Sequence, residues 1–419
     1  MTDPPIHRAS QEWRTHWRSV ATASVGVATG FSMLQFSASL FIQPWETAFG
    51  WTRGEIALAH NGMLVTAVLS PFAGALLDRF GVRRPLLAAM SLTGIAYLAM
   101  TMLSGSLVQF YATYFFLQLV GILTTGLAFT RVVAARFNAS RGLALACTRI
   151  GISLLGLVLP AILQRLITNE GWQAGFLLLA GIVLLVGLPV CWFGIHDLDS
   201  ADRKSAVPAT KTSFLNLARR DYRVALLCLC AGLGYAPLSA ILSQFQPLLT
   251  EKGIAAGMAA TLTGVLAGSV LIGTLVSGTL VDRVWAPLVA CLFSLGPMLG
   301  CLMLIGSSPS LTTALVAAVL IGMAQGAEID IVAYLCARYF GLRHYSTIYG
   351  STVMVMVLMS VVGQVGIGML HDRFGDYRAG LLAAIAALGL SLVTYLLLGP
   401  YPLPTGFARN PHERRCPQL

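Results

Sequence analysis

The stretch GALLDRFGVRRPLL, residues 74–87, sets one acid and three arginines between two long apolar runs, and its reading decides how the chain is built. Charges are costly in hydrocarbon, so a cluster this dense reads as a turn at the membrane surface. Outward from it the sequence is unusually apolar: 56% of residues are hydrophobic and 11% charged, with a mean hydropathy of +0.76. Such values lie far from those of a soluble globular chain and predict an integral membrane protein.

Apolar segments of about 20 residues, enough to cross roughly 30 Å of hydrocarbon, recur from one end of the chain to the other. Twelve are counted, near 20–43, 55–77, 85–104, 108–131, 142–164, 173–195, 222–249, 255–281, 287–306, 309–336, 346–370 and 379–400. Lipid tolerates only helices or closed barrels, and these runs lack the alternation of barrel strands, so an all-α fold of twelve transmembrane helices is expected. The polar first 19 residues carry Arg8, Arg14 and Arg18, and the run behind them is longer than a signal-peptide core, which predicts a retained helix. Of the 27 Lys and Arg, Arg131 and Arg149 lie inside runs; an N-terminus in the cytoplasm places all the others there except Arg53, Arg165, Lys252, Arg373 and Arg378. That asymmetry predicts both termini on the cytoplasmic side. The net charge of +10 then follows from topology, and no soluble basic domain is present to bind nucleic acid.

Cys147, Cys228, Cys230, Cys291, Cys301 and Cys336 lie in the runs, Cys191 near the end of one and Cys416 in the tail, with no CxxC or histidine spacing among them. They read as small buried hydrophobes, so neither metal site nor disulfide framework is expected, and no cofactor. P-loop, GxSxG and HExxH patterns are absent, which removes ATP-driven pumps and hydrolases; no enzyme is expected.

One long polar segment divides the chain, giving an expected six-helix bundle over 1–195, a cytoplasmic linker over 196–221 and a second bundle over 222–419. The halves repeat: GALLDRFG at Gly74 is echoed by GTLVDRVW at Gly278, Gly121 by Gly322 and Ala135 by Ala337, at offsets of 204, 201 and 202. Coincident offsets point to duplication of a six-helix unit. A finer echo at GMLHDRFGDYRAGLL (368–382) divides each half again into triplets. The third run of each triplet is apolar all round, as a lipid-facing segment should be. The first carries the polar load: Gln35 in run 1, Gln118 in run 4, Tyr235 and Gln244 in run 7, and Gln325, Glu328 and Asp330 in run 10. Polar groups in lipid need partners or water, so these four runs are expected to line a central cavity, the plan of a secondary transporter.

The 74–87 loop resembles the signature of the major facilitator superfamily between its second and third helices, matched here at Gly74, Asp78, Arg79, Gly81, Arg83 and Arg84. The resemblance covers essentially the whole chain. It implies that the glycines let helices approach at a tight turn while the acid and arginines form contacts between the bundles that break and re-form as the cavity changes sides. Within the superfamily, PWETAFGWTRGEIALA (44–59), ARFNASRGLALA (135–146) and GAEIDIVAYLCARYFG (326–341) resemble the bacterial relatives of monocarboxylate transporters and oxalate/formate antiporters. This implies a small organic anion as substrate, commonly moved with a proton. The chain departs from those groups in having no Lys in 30–41 and no Arg in 263–280.

Arg131 and Arg149 remain to hold an anion. Arg149 sits two turns inside its run, where a substrate carboxylate held by two donors would compensate it, as would a partner acid or backbone carbonyls. Among the acids only Glu328 and Asp330 lie inside a run, about 200° apart on a helix. Glu328, on the face of Gln325, is the first choice for a proton carrier, with a helix–helix contact as the other reading. Asp330 lines up with Tyr334 and Arg338, and Arg131 is expected to pair with Asp330 or Glu328 as a gate. His60 is a further proton candidate. The expected function is transport of a monocarboxylate-like anion by alternating access, coupled to protons; proton-antiport export of drugs or metabolites and anion exchange are the alternatives. An excess of Arg over Lys points to a bacterial inner membrane, and a monomer is expected.

Overall fold

The computed structural model describes residues 5–60, 62–195, 221–306, 309–342 and 344–401. The described residues form twelve helical rods and no strand. In the first half, α1 runs over Pro5–Ala28 and continues past a break through Ser32–Ser37, Ala38–Phe41 and Ile42–Phe49. Rod α2 comprises Arg53–His60 and Gly62–Phe80, α3 is Arg83–Met100, and α4 is Leu107–Gly121, a tight turn Ile122–Thr124, then Gly126–Arg136. Rod α5 is Arg141–Glu170, and α6 passes from Trp172–Gly181 through a wide turn Ile182–Gly187 into Leu188–Gly194. The second half has α7 (Tyr222–Glu251), α8 (Ala256–Val281), α9 (Ala286–Leu304), α10 (Leu311–Phe340), α11 (Tyr345–Phe374) and α12 (Arg378–Leu397).

Among the described residues, the nine rods α4 to α12 are long and apolar enough to cross a membrane by length and composition. The break at 29–31 shortens the apolar run of α1, and α3 opens on Arg83 and Arg84. Because the rods alternate in direction, α1 starts, α6 ends and α7 starts at one end of the bundle, here termed proximal; the other end is distal. Outer rods α3, α6, α9 and α12 expose rows of large apolar side chains, among them Ile95, Leu185, Leu292 and Leu390. A face of this kind is suited to lipid, as the period of three in the sequence predicted.

The halves meet where glycine allows backbones to touch. A Cβ on Gly74 of α2 would lie 2.0 Å from the Ser346 carbonyl oxygen of α11, and one on Gly350 of α11 would lie 2.5 Å from that of Ser70. On the other side, a Cβ on Gly142 of α5 would lie 2.3 Å from the Gly278 carbonyl oxygen of α8. Small residues of this kind replace the missing hydrophobic drive with close van der Waals contact in lipid. Gly264, about four turns distal to Gly278 on the same face of α8, meets nothing within 4 Å. These close backbone contacts between the halves lie at the proximal end.

Two breaks absent from the sequence reading lie opposite each other. In α1 the helix lapses at 29–31, and in α4 Thr125 is extended with ψ −174°. The Phe31 amide donates to Thr124 Oγ1 at 3.0 Å, and the Thr124 hydroxyl donates to the Gly121 carbonyl at 2.9 Å. A Cβ on Gly30 would strike Thr124 and one on Gly121 would strike Phe31, so the two kinks interlock. Backbone groups freed inside a membrane must be re-satisfied by neighbours, and here Thr124 of α4 satisfies the amide freed in α1.

Candidate functional site

Between the halves, beside the interlocked breaks, lies a cavity of about 350 Å³. Rods α1, α2, α4, α5, α7, α10 and α11 contribute to its wall. Its charged groups are Arg149 of α5 and Asp330 of α10, one from each half, with Arg149 Nη1 3.7 Å from Asp330 Oδ1. The Asp330 side chain is 3% exposed and that of Arg149 25%. At 3.7 Å the two attract without a hydrogen bond. Arg149 Nη1 and both Asp330 carboxylate oxygens are buried and have no hydrogen-bond partner. Buried polar atoms are normally paired, so unpaired ones on a cavity wall are free to meet a water, an ion or a ligand. Tyr235 and Tyr349 flank the pair and line the same cavity.

Proximal to the cavity two carboxylates close the halves. Asp78, at the end of α2, accepts from the Thr347 amide at 2.9 Å, the Thr347 hydroxyl at 2.7 Å and the Ser346 amide at 3.3 Å, all at the start of α11. Arg131 donates to the same carboxylate and also to Ser346 Oγ at 3.2 Å. In the repeat, Asp282 after α8 accepts from the Gly142 amide at 2.7 Å and the Leu143 amide at 3.0 Å, at the start of α5. Helix starts carry unsatisfied N–H groups and partial positive charge, so an acid from the opposite half completes them. Burial nonetheless pushes the Asp282 pKa up to about 6, against the pull of those amides and of Arg141. The segment leading into α5 is gripped again by Glu12, which accepts from the amides of Asn138, Ala139 and Ser140 at 2.9–3.2 Å.

The structure sorts the residues singled out from sequence. Gln35, Gln118, Tyr235, Arg149 and Asp330 line the cavity. Arg131 lies proximal to it, held by Asp78 and not by Asp330 or Glu328; the break at Thr125 turns the last segment of α4 out of the register that the unbroken α10 would predict. Glu328 is turned away from the cavity into the second half, where it accepts from the Tyr395 hydroxyl at 2.8 Å, so it makes a helix–helix contact. Gln325 sits beside Tyr235 without lining the cavity, and Gln244 lies distally, accepting from Tyr377 at 3.1 Å. The side chain of His60 lies outside the described residues.

In the 74–87 loop, Gly74 makes the backbone contact with α11, and Gly81 takes φ +79°, a left-handed turn that suits glycine. Of the loop arginines, Arg79 lies over Phe80, Arg83 donates to the Trp192 carbonyl of α6 at 3.2 Å, and Arg84 is exposed. Arg131 is the cation that meets Asp78. Sequence reasoning missed Asp282, although the echo GTLVDRVW contained it, and missed the cavity hydroxyls of Ser70 and Thr130, which resemble any polar residue in a helix.

The family model of the Major Facilitator Superfamily matches residues 25–364. Monocarboxylate transporter 11 of Mus musculus is 27% identical over 359 residues, covering 82% of this chain and 78% of the relative. The 3-(3-hydroxy-phenyl)propionate transporter of Escherichia coli K12 is 25% identical over 338 residues, covering 78% and 80%. Among solved structures, the E. coli fucose:proton symporter superposes with a TM-score of 0.72 at 15% identity over 91% of this chain and 98% of that one. FucP in the outward conformation gives 0.73 at 16% identity, with the same coverage. Twelve rods in two repeated halves, a cavity at their interface and a family match over most of the sequence lead to one assignment: the chain is a membrane transporter that belongs to the Major Facilitator Superfamily.

Proposed function

We propose that the chain is a secondary transporter that carries an organic monocarboxylate together with a proton by alternating access, Arg149 holding the carboxylate and Asp330 the proton. The observation that carries this reading is the cross-half pair itself: a half-buried cation and a buried acid at 3.7 Å, with Arg149 Nη1 and both acid oxygens unpaired on the wall of a cavity. An incoming carboxylate offers Arg149 two acceptors at hydrogen-bond distance, which Asp330 does not. Once Arg149 turns to the substrate, Asp330 loses its counter-ion in a site of low dielectric and is better occupied by a proton. Substrate and proton then load together, and the neutralised halves can part proximally. The monocarboxylate transporters among the relatives support the anion. By the distribution of Lys and Arg, the proximal end and both termini face the cytoplasm of a bacterial inner membrane, and the carrier works as a monomer.

Arg149→Lys tests the site. A lysine keeps the charge but not the planar two-donor fork, so binding of labelled benzoate to the purified protein should weaken by about tenfold or more, and Arg149→Gln should abolish it. If Arg149→Gln binds and carries benzoate, lactate and their like as the parent does, the residue is structural and the anion reading falls.

A further inference from the structure

The cavity wall is unevenly equipped for hydrogen bonding. The Ser70 hydroxyl donates to the Thr66 carbonyl at 3.1 Å, Thr125 to Ile122 at 2.7 Å and Thr130 to Gly126 at 2.6 Å, each within its own rod. A carbonyl cannot donate, so in every case the single hydroxyl proton is committed to the backbone and the hydroxyl oxygen is left as an acceptor. Gln118 donates one Nε2 hydrogen to the Ala59 carbonyl at 2.7 Å, which leaves its second N–H to donate and its amide oxygen to accept. Asp330 adds two unpaired carboxylate oxygens, one of which becomes a donor once it holds the proton. Against these acceptors Arg149 is a donor only, while Ser32, Gln35, Thr66, Gln118 and the tyrosines can take either role. The space itself, about 350 Å³, equals roughly a dozen water volumes, more than a three-carbon acid fills.

We infer that the substrate is a hydroxylated monocarboxylate: one carboxylate for Arg149 and, remote from it, one or more hydroxyl donors for the acceptors Ser70, Thr125 and Thr130. This rests on the carboxylate reading above and narrows it. A plain acid of the same length would leave the acceptors to water, and a dicarboxylate would set its second negative charge against a wall of lone pairs with no second cation.

The test uses pairs of acids that differ by one hydroxyl, 4-hydroxyphenylacetate against phenylacetate and 6-hydroxyhexanoate against hexanoate, with dissociation constants measured on the full chain in lipid nanodiscs. The hydroxylated member of at least one pair should bind about tenfold more tightly. Thr125→Val and, independently, Ser70→Ala should shrink that ratio to about threefold or less by weakening the hydroxylated acid while leaving the plain acid unchanged. Equal binding within both pairs would overturn the inference while the carboxylate reading stands. Substitutions that weaken both members of a pair alike would overturn it as well, since that is what a packing role predicts. If 1,6-hexanediol binds and none of the acids does, the donor preference is upheld and the carboxylate reading falls. If neither diol nor acids bind, both fall.

Discussion

At the scale of single residues, two buried acids two positions apart in α10 have different surroundings and should have different tasks. Asp330 faces Arg149 and the cavity, so Asp330→Asn should abolish accumulation of substrate driven by a pH gradient while counterflow exchange survives, because a permanently neutral side chain can still reorient with its load. Accumulation like the parent's in proteoliposomes of Asp330→Asn would remove the proton from this site. Glu328 faces Tyr395 inside the second half, and Glu328→Gln keeps an acceptor for that hydroxyl, so accumulation should persist. Tyr395→Phe should instead lower thermal stability by about 1–3 kcal/mol, the usual cost of leaving a buried acceptor unpaired. The sequence made both acids visible, since charge inside an apolar run cannot be overlooked. It also gave the angle between them, but not which of the two faces points at the partner half. That is decided by α5: Arg149 lies on one stripe with Arg141 and Leu145, and Asp330 on one with Tyr334 and Arg338, and their meeting is set by how α5 and α10 pack.

At the scale of elements, the rods were legible because about 20 apolar residues between charged turns allow little besides a helix. The breaks in α1 and α4 were not. Gly30 and the Thr124–Thr125–Gly126 run look like tolerated small residues until the two rods are set side by side, when the amide freed at Phe31 finds the hydroxyl of Thr124. The crossing of α2 and α11 gives an element-scale prediction. Gly74→Ala would place a methyl group 2.0 Å from the Ser346 carbonyl, a backbone atom that cannot swing aside, so α2 and α11 must separate. Asp78 would then lose its reach to the start of α11, each of those charge-assisted bonds being worth about 1.5–3 kcal/mol. In a cysteine-free background carrying Thr130→Cys, labelling by a membrane-impermeant maleimide from the proximal side should rise about tenfold in Gly74→Ala. An unchanged labelling rate would mean that the crossing tolerates the added carbon.

At the scale of the whole molecule, the proximal closure should depend on pH through Asp282. Its pKa is raised to about 6 when the halves are closed, and separation would expose it and return it toward the ordinary carboxylate value. The closed form therefore binds a proton more readily than the open one. Acidification through pH 6 towards 4 should favour closure, and above pH 7 this contribution is absent. Arg141 and Glu12 lie near Asp282 and act on it in opposite senses. Spin labels placed proximally on α5 and α8 should report a larger closed fraction at pH 5 than at pH 8, and Asp282→Asn should flatten the difference. A pH dependence that survives Asp282→Asn would assign it to another group. The two-bundle plan was readable from the offsets in the sequence, whereas the role of Asp282 was not, because a repeat shows that two segments correspond and not what either one touches. Its partner has a longer history. The offset of 204 that carries Asp78 onto Asp282 also carries Gly142 onto Ser346 and Leu143 onto Thr347, so each acid holds the counterpart of what the other holds. In a two-fold dimer of an undivided six-helix ancestor this would be one self-complementary contact made twice, as isologous interfaces are. The latch would then predate the fusion of the two genes, and only after fusion could the copies diverge, one gathering Arg131 and the Thr347 hydroxyl around Asp78 while the other kept the bare helix start.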